Sequence, residues 1–508
     1  MFILYSKDTK CNNTRLFLWG IMKRLEKPAL HAVKMICAVA ACALIFSCAT
    51  TGKVQEEQFA EQPSKEAEVP AVKEKPAVSK KKTFTKMDFL ESLSSCLEKN
   101  DFDAALALYD TLPQEFASDY DLLFLKASVY FSAGKIPESK ALCDELSAID
   151  PSNTDVMELS AIIAKKTGNS AERSRKIAAI IAKDKFNPGA NVELAGDAFM
   201  KRNYKLAKNY YNRALARDSD NEDALFGLGQ TEYYLENDDS AKKSLEKLLE
   251  KNPDYAPAYL YLGKIAAANN EYKIASDYAK TAIEKDPTQY DYFMDYGMYE
   301  RYLGHYDAAE EAWTQAIQIE SGYFLAYAYR AGLYDERNMF PQALADYKKV
   351  VELNPEYYFA HESLGVLALH EKQWSTARAS FEECYKKNPA NVSYPLMVTY
   401  CYYMEGNDIE ARNFSNQALR VMDRNTIEYT MLRVYHDKAG EMPLPQRIAA
   451  LKNRNLRGKM YFYLGLFYDM FGGKEAAKEY YTKVVEMNSP MFFEYRLAEW
   501  SIKENGTE

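Results

Sequence analysis

Histidine and cysteine are the side chains that most often ligate metals or act as nucleophiles near neutral pH, and this chain has five of the first and eight of the second. Their spacing supports neither role. His305, His361, His370 and His436 show no ligand spacing, and there is no CxxC pair and no Cys/His cluster. A GxSxG nucleophile elbow, an HExxH helix and a glycine-rich phosphate loop are also missing from the sequence. Carboxylates are plentiful, but they fall on the polar faces of amphipathic stretches, where pairs arise by chance and stay solvated. The sequence predicts no metal, no cofactor and no catalysis. The net charge of −9 argues against a phosphate-backbone partner as well.

What is regular is the spacing of small residues. Ala127, Ala161, Ala195, Gly229, Gly263, Gly297, Ala331, Gly365 and Thr399 recur every 34 positions. Twelve residues after each lies Ser139, Arg173, Ala207, Ala241, Ala275, Ala309, Ala343, Ala377 or Ala411. A third series includes Pro151, Pro253, Pro287, Pro355 and Pro389. A fixed period of this size means a stacked array, not a globular enzyme core. Each unit reads as two amphipathic helices, such as Ala256–Asn269 and Tyr272–Asp286. The small residues let the helices cross closely, and proline ends the second helix because it cannot continue the i→i−4 ladder. Large residues fill the wedges, among them Tyr272, Tyr306, Phe340 and Trp374.

The unit Tyr259, Gly263, Tyr272, Ala275, Ala282, Pro287 resembles the tetratricopeptide repeat (TPR), as does Tyr327, Ala331, Tyr334, Phe340, Ala343, Tyr347, Pro355. The resemblance implies an all-α, right-handed α-solenoid of about twelve helix-turn-helix units. Ten units cover 86–425. Residues 426–457, interrupted by Pro443 and Pro445, read as a degenerate pair or an insertion, 458–491 as one more unit, and 492–508 as a capping helix and tail. Cys96, Cys143, Cys384 and Cys401 sit at positions facing neighbouring helices, so Cys384 and Cys401 read either as two buried thiols or as a pair that approaches.

In TPR arrays the first helix of each unit lines a concave groove that receives other proteins. Carried over through unit positions 2, 5, 9, 12 and 13, that groove would hold Phe226, Gln230, Tyr233, Met294, Met298, Arg301, Tyr302, Phe359, Leu396, Tyr400, Tyr403, Met404 and Phe462. Aromatic and methionine side chains suit an extended or helical peptide. The family's two-carboxylate clamp for chaperone C-termini has no matching set here, because Lys264 stands alone.

The N-terminus places the array. Lys23, Arg24, Lys27 and Lys34 precede the uncharged run Ile36–Phe46, which is short for a bilayer span and is followed by Ser47 and Cys48. This describes a secretory signal over 1–47, with Met22 as a conventional start. The ending Ile45-Phe46-Ser47-Cys48 resembles a bacterial lipobox, although Phe46 departs from its pattern. The resemblance implies acylation of Cys48. Residues 48–85 are rich in Glu, Lys and Pro and read as a disordered linker. The segment Tyr461–Leu466, Ala476–Val485 and Phe492–Leu497 resembles the last repeat of NlpI-type adaptor lipoproteins. The expectation is a non-enzymatic scaffold or adaptor lipoprotein of the bacterial envelope, lipid-anchored and facing the periplasm, with the outer membrane favoured over the inner. The alternative is a periplasmic TPR protein that encloses a small apolar ligand and serves a transporter.

Overall fold

The computed structural model describes residues 85–504. The signal region, Cys48 and all but the last residue of the linker lie outside the described residues. Within them there are 25 α-helices and no strands, and no helix is long and apolar enough to cross a membrane. The helices pair off in chain order, leaving the last one over.

Two compact bodies meet in the chain at Ala224 and Leu225. The N-terminal body holds α1 (Lys86–Glu98), α2 (Phe102–Leu108), α3 (Tyr120–Ser132), α4 (Ile136–Ile149), α5 (Thr154–Lys166), α6 (Ser170–Lys183), α7 (Pro188–Met200) and α8 (Tyr204–Arg217). Helix α9 (Glu222–Tyr234) starts in this body and continues into the next. The C-terminal body continues with α10 (Asp238–Lys251), α11 (Ala256–Ala268), α12 (Tyr272–Lys285), α13 (Tyr290–Tyr302), α14 (Tyr306–Ile319), α15 (Phe324–Glu336) and α16 (Phe340–Leu353). After these come α17 (Tyr358–His370), α18 (Trp374–Lys387), α19 (Ser393–Met404), α20 (Asp408–Val421), α21 (Ile427–Asp437), α22 (Leu444–Ala449), α23 (Arg454–Met470), α24 (Lys474–Glu486) and α25 (Phe493–Glu504).

The two small-residue series meet inside each pair. All seven alanines from Ala207 to Ala411 are fully buried, and so are Ala127, Ala195 and Ala331. Ser139 Oγ donates to the Ala127 carbonyl at 2.8 Å, so a residue of the second series touches its partner twelve positions earlier. At Gly263 a methyl group would sit 3.2 Å from the Ala275 carbonyl oxygen, and at Gly297 it would overlap the Trp313 ring at 2.6 Å. Only a residue without bulk permits this approach. At Thr399 the hydroxyl is satisfied by donating to the Pro395 carbonyl at 2.7 Å.

The turn inside each pair repeats too. Asn100, Gly134, Gly168, Arg202, Glu236, Asn270, Gly304, Asn338, Lys372, Gly406 and Gly440 all have positive φ. They follow one another at the repeat interval, one after nearly every first helix. A left-handed residue there stops the helix and lets its last carbonyls be met from the turn. The pair α21/α22 departs from the rest. Lys438 already turns left-handed, and α22 is only 6 residues long, with Pro443 and Pro445 at its start.

Helix α25 packs against α23 and α24, with Tyr495, Leu497 and Ala498 buried. Burying a leucine side chain contributes roughly 1.5–3 kcal/mol. The same helix also reaches back to α17.

Candidate functional site

Consecutive first helices lie side by side, as the bonds between them show. In the N-terminal body Lys165 of α5 pairs with Glu193 of α7 at 2.9 Å. In the C-terminal body Lys264 of α11 meets Asp295 of α13 at 2.5 Å, and Arg301 of α13 meets Glu336 of α15 at 2.9 Å. Tyr403 of α19 donates to the Tyr435 carbonyl of α21 at 2.8 Å, and Tyr435 in turn donates to the Tyr463 carbonyl of α23 at 2.7 Å. Within each body the side chains along such neighbouring first helices lie on one side. In the C-terminal body that side is aromatic.

Of the expected groove residues, Tyr302 and Phe359 are the most accessible, at 64% and 71% exposure. The Tyr302 ring stacks flat on Tyr272, with centroids 4.5 Å apart and planes at 12°. Phe359 meets Tyr357 and Tyr358 edge-on, at 6.0 and 5.8 Å. Met404 and Arg301 are exposed. Phe226 and Tyr233 are half-buried around Tyr261, at 5.8 and 5.6 Å. Met298 is half-buried against Ala266, Ala275, Ala279 and Tyr299. Tyr400 packs edge-on against Trp374, and burial pushes its phenol up. Tyr403 is tied down by its bond to Tyr435 and by the Lys438 ammonium 4.4 Å from its ring centre. Burial pushes its hydroxyl up to about 12.

Three expected groove residues are core instead. Met294, Leu396 and Phe462 are 6%, 0% and 2% exposed. Each lies three residues before the small residue of its unit, one helical turn away. Residues so spaced share a face, and that face is the one pressed against the neighbouring helices. Met294 packs with Trp313 and Leu333, and its carbonyl accepts from the Trp313 ring nitrogen at 3.3 Å.

The ion pair Lys264–Asp295 is a feature the residue types did not announce. Lys264 keeps 27% of its side-chain surface, although protein surrounds it. Burial works against its charge, but Asp295 outweighs burial and holds the ammonium above its ordinary range. Burial raises the neighbouring Asp291 carboxyl, against the pull of Lys264. Tyr233, Tyr323 and Tyr329 feel these charges. The signal was present in the frame: a lysine on one first helix, followed by an acid on the next. Cys384 and Cys401 are both buried free thiols, and burial pushes Cys384 up to about 12. No cluster of His, Cys, Asp and Glu among the described residues is arranged to hold a metal.

Paired antiparallel helices, a small residue at each crossing and a left-handed turn at one interval define a helical-repeat protein. Family models described as tetratricopeptide repeat match residues 97–163, and again 193–241, 230–290 and 330–392. The chain belongs to the tetratricopeptide repeat family. It is similar to human tetratricopeptide repeat protein 6, at 27% identity over 198 residues covering 38% of each chain. It is also similar to the TPR repeat-containing protein YpiA of Bacillus subtilis (strain 168), at 22% identity over 348 residues, covering 65% of this chain and 79% of YpiA. A solved structure of Pseudomonas aeruginosa pilF aligns over 43% of this chain and 99% of its own, at 20% identity and a TM-score of 0.32. This chain thus spans well under half of the human relative.

Proposed function

We propose that this protein is a non-enzymatic adaptor that binds a segment of another protein along the aromatic face between Phe226 and Phe359. It would be held at the bacterial cell envelope by an acyl group on Cys48. Tetratricopeptide repeat proteins bind other proteins; the finer reading rests on this chain's own residues. The observation that carries it is the exposure of Tyr302 and Phe359, at 64% and 71%, beside Tyr306 and Tyr329 at 38% each and rings that are half-buried. Large rings with few rotatable bonds supply contact area at low entropic cost, and such anchors usually dominate an interface. The charges beside them, Lys264–Asp295 and Arg301–Glu336, are already paired. A partner therefore meets rings and neutral pairs instead of an isolated charge. A small apolar ligand would need an enclosed pore. In the C-terminal repeats the chain's own last helix packs on α15 and α16 through Arg496–Asp335 and Trp500–Phe340.

The test is capture of envelope proteins with the intact chain and with the double variant Tyr302→Ser, Phe359→Ser. Both side chains are exposed, so helix content should stay at the parent level. Recovery of specifically captured proteins should fall by about tenfold, as expected for loss of an anchor worth more than 1 kcal/mol. Undiminished recovery with an intact fold would remove the aromatic face from consideration.

A further inference from the structure

Helix α25 is seated on the repeats between Phe324 and Met404 by two contrasting sets of contacts. One set, running from Arg496 to Trp500, is only partly buried. Arg496 pairs with Asp335, and Trp500 meets His370 at 4.4 Å and Phe340 at 5.1 Å. The other, at Glu494, is buried and ionic. Glu494 is fully buried; Oε1 accepts from the Tyr463 hydroxyl at 2.8 Å, and Oε2 has no hydrogen-bond partner. From α17, Glu362 faces the same place, its Oε2 accepting from the Tyr394 hydroxyl at 2.6 Å. Tyr394 also bonds the Tyr358 hydroxyl.

One cation serves both acids. Lys459 of α23 lies 3.9 Å from Glu494 Oε1, and its ammonium donates to Ser393 Oγ at 3.0 Å and to Asn391 Oδ1 at 3.4 Å. The remaining groups, Tyr358, Tyr394, Tyr463, Ser393 and Asn391, are neutral. Two carboxylates against one ammonium leave a net negative charge inside the protein, and a buried carboxylate oxygen lacks a donor. Such a cluster is costly unless one acid takes up a proton.

We propose that α25 is a releasable strap, and that its seating against α17 and α23 is coupled to one proton on Glu362, which faces the buried Glu494. Burial, and then the Glu494 charge, push Glu362 above the ordinary carboxyl range, against the pull of Lys459. In the released state Glu362 regains water and Glu494 is withdrawn, so the proton is held more weakly there. The seated state therefore gains from the proton below the ordinary glutamate pKa and loses that gain as pH rises through the raised value. Release uncovers Asp335, Phe340 and His370 and extends the accessible face toward α19. The inference goes beyond the adaptor reading and does not depend on it, because strap opening is read without any partner.

Hydrogen exchange of the backbone amides in 493–504, measured on the full chain and corrected for intrinsic exchange at each pH, tests it. Between about pH 5 and about pH 8 the opening equilibrium should rise, by at most about tenfold per pH unit. Glu362→Gln should flatten that rise and keep the strap seated at the alkaline end. Glu494→Gln is the second variant, with the same expectation. Protection that is independent of pH in the parent overturns the proposal. So does a glutamine pair that keeps the parent's slope. If 493–504 exchanges only together with the rest of its body, α25 is a fixed cap and the strap does not exist.

Discussion

Arg496 and Asp335 are separated by 161 residues in the chain and joined by two hydrogen bonds of 2.6 and 2.9 Å. The guanidinium also lies 4.3 Å from the Trp500 ring centre and 5.4 Å from that of Phe340. Both partners keep some solvent, 33% for Arg496 and 19% for Asp335, so the pair is partly screened. Arg496→Ala should cost about 1–2 kcal/mol, because it removes the ion pair and the ring contacts together. Asp335→Ala should cost less, since Arg496 keeps its rings. A double-mutant cycle by denaturant unfolding should return a coupling of about 1 kcal/mol. Zero coupling would mean that the two residues do not meet in solution.

The turn residues give a second expectation. Glu236 and Lys372 stand at φ 59° and 55° at positions where Gly304 and Gly406 stand elsewhere. A side chain in that conformation costs roughly 1–2 kcal/mol. Glu236→Gly and Lys372→Gly should each raise stability by up to about 1 kcal/mol, the glycine's freedom in the unfolded chain offsetting part of the gain. Gly304→Ala is the mirror test. Nothing lies within 4 Å of the methyl group it would add, so any loss of melting temperature comes from the backbone alone.

Those turns show what could be read in the sequence and what could not. The period and the helix pairing were legible because nearly all crossing positions hold small residues, Arg173 being a departure, and Ala275, Ala309 and their equivalents kept their identity. The left-handed position recurs just as regularly but tolerates Gly, Asn, Arg, Glu and Lys; its conformation is constant and its residue type is not. Which of the expected groove positions are exposed was legible in part. Tyr302 and Phe359 are exposed, as their positions in the frame imply. Met294, Leu396 and Phe462 were misplaced because each, three residues before its crossing, turns toward the neighbours, whereas Phe226 at the same position of its unit stays half-buried. The seat of α25 left no trace in the repeat. Arg496 with Asp335, and Trp500 with His370, are contacts made once, between residues far apart in the chain, and periodicity carries no information about them.

The proposed lipid anchor at Cys48 is tested outside the repeats. Cys48→Ala should leave the chain with its signal uncleaved, or else release it from detergent-extracted membranes, while helix content stays at the parent level. Unchanged partitioning together with unchanged gel mobility would exclude acylation at Cys48.

Gly297 and Gly332 stand one position apart in the repeat frame and should respond in opposite directions to the same change. Both lie inside first helices, α13 and α15, where alanine is favoured over glycine by about 1 kcal/mol. At Gly297 the added methyl group would come within 2.6 Å of Trp313 Nε1 and 2.9 Å of two ring carbons. Trp313 is 1% exposed and bonded to the Met294 carbonyl, so the ring has nowhere to move without breaking that bond. Gly297→Ala should therefore cost about 1–3 kcal/mol despite the better helix propensity. At Gly332 the nearest atom is the Tyr347 hydroxyl at 4.0 Å, and Gly332→Ala should gain up to about 1 kcal/mol. Thermal or denaturant unfolding of the two variants against the parent measures both signs in one experiment. Equal effects would show that close crossing is not what holds glycine at 297.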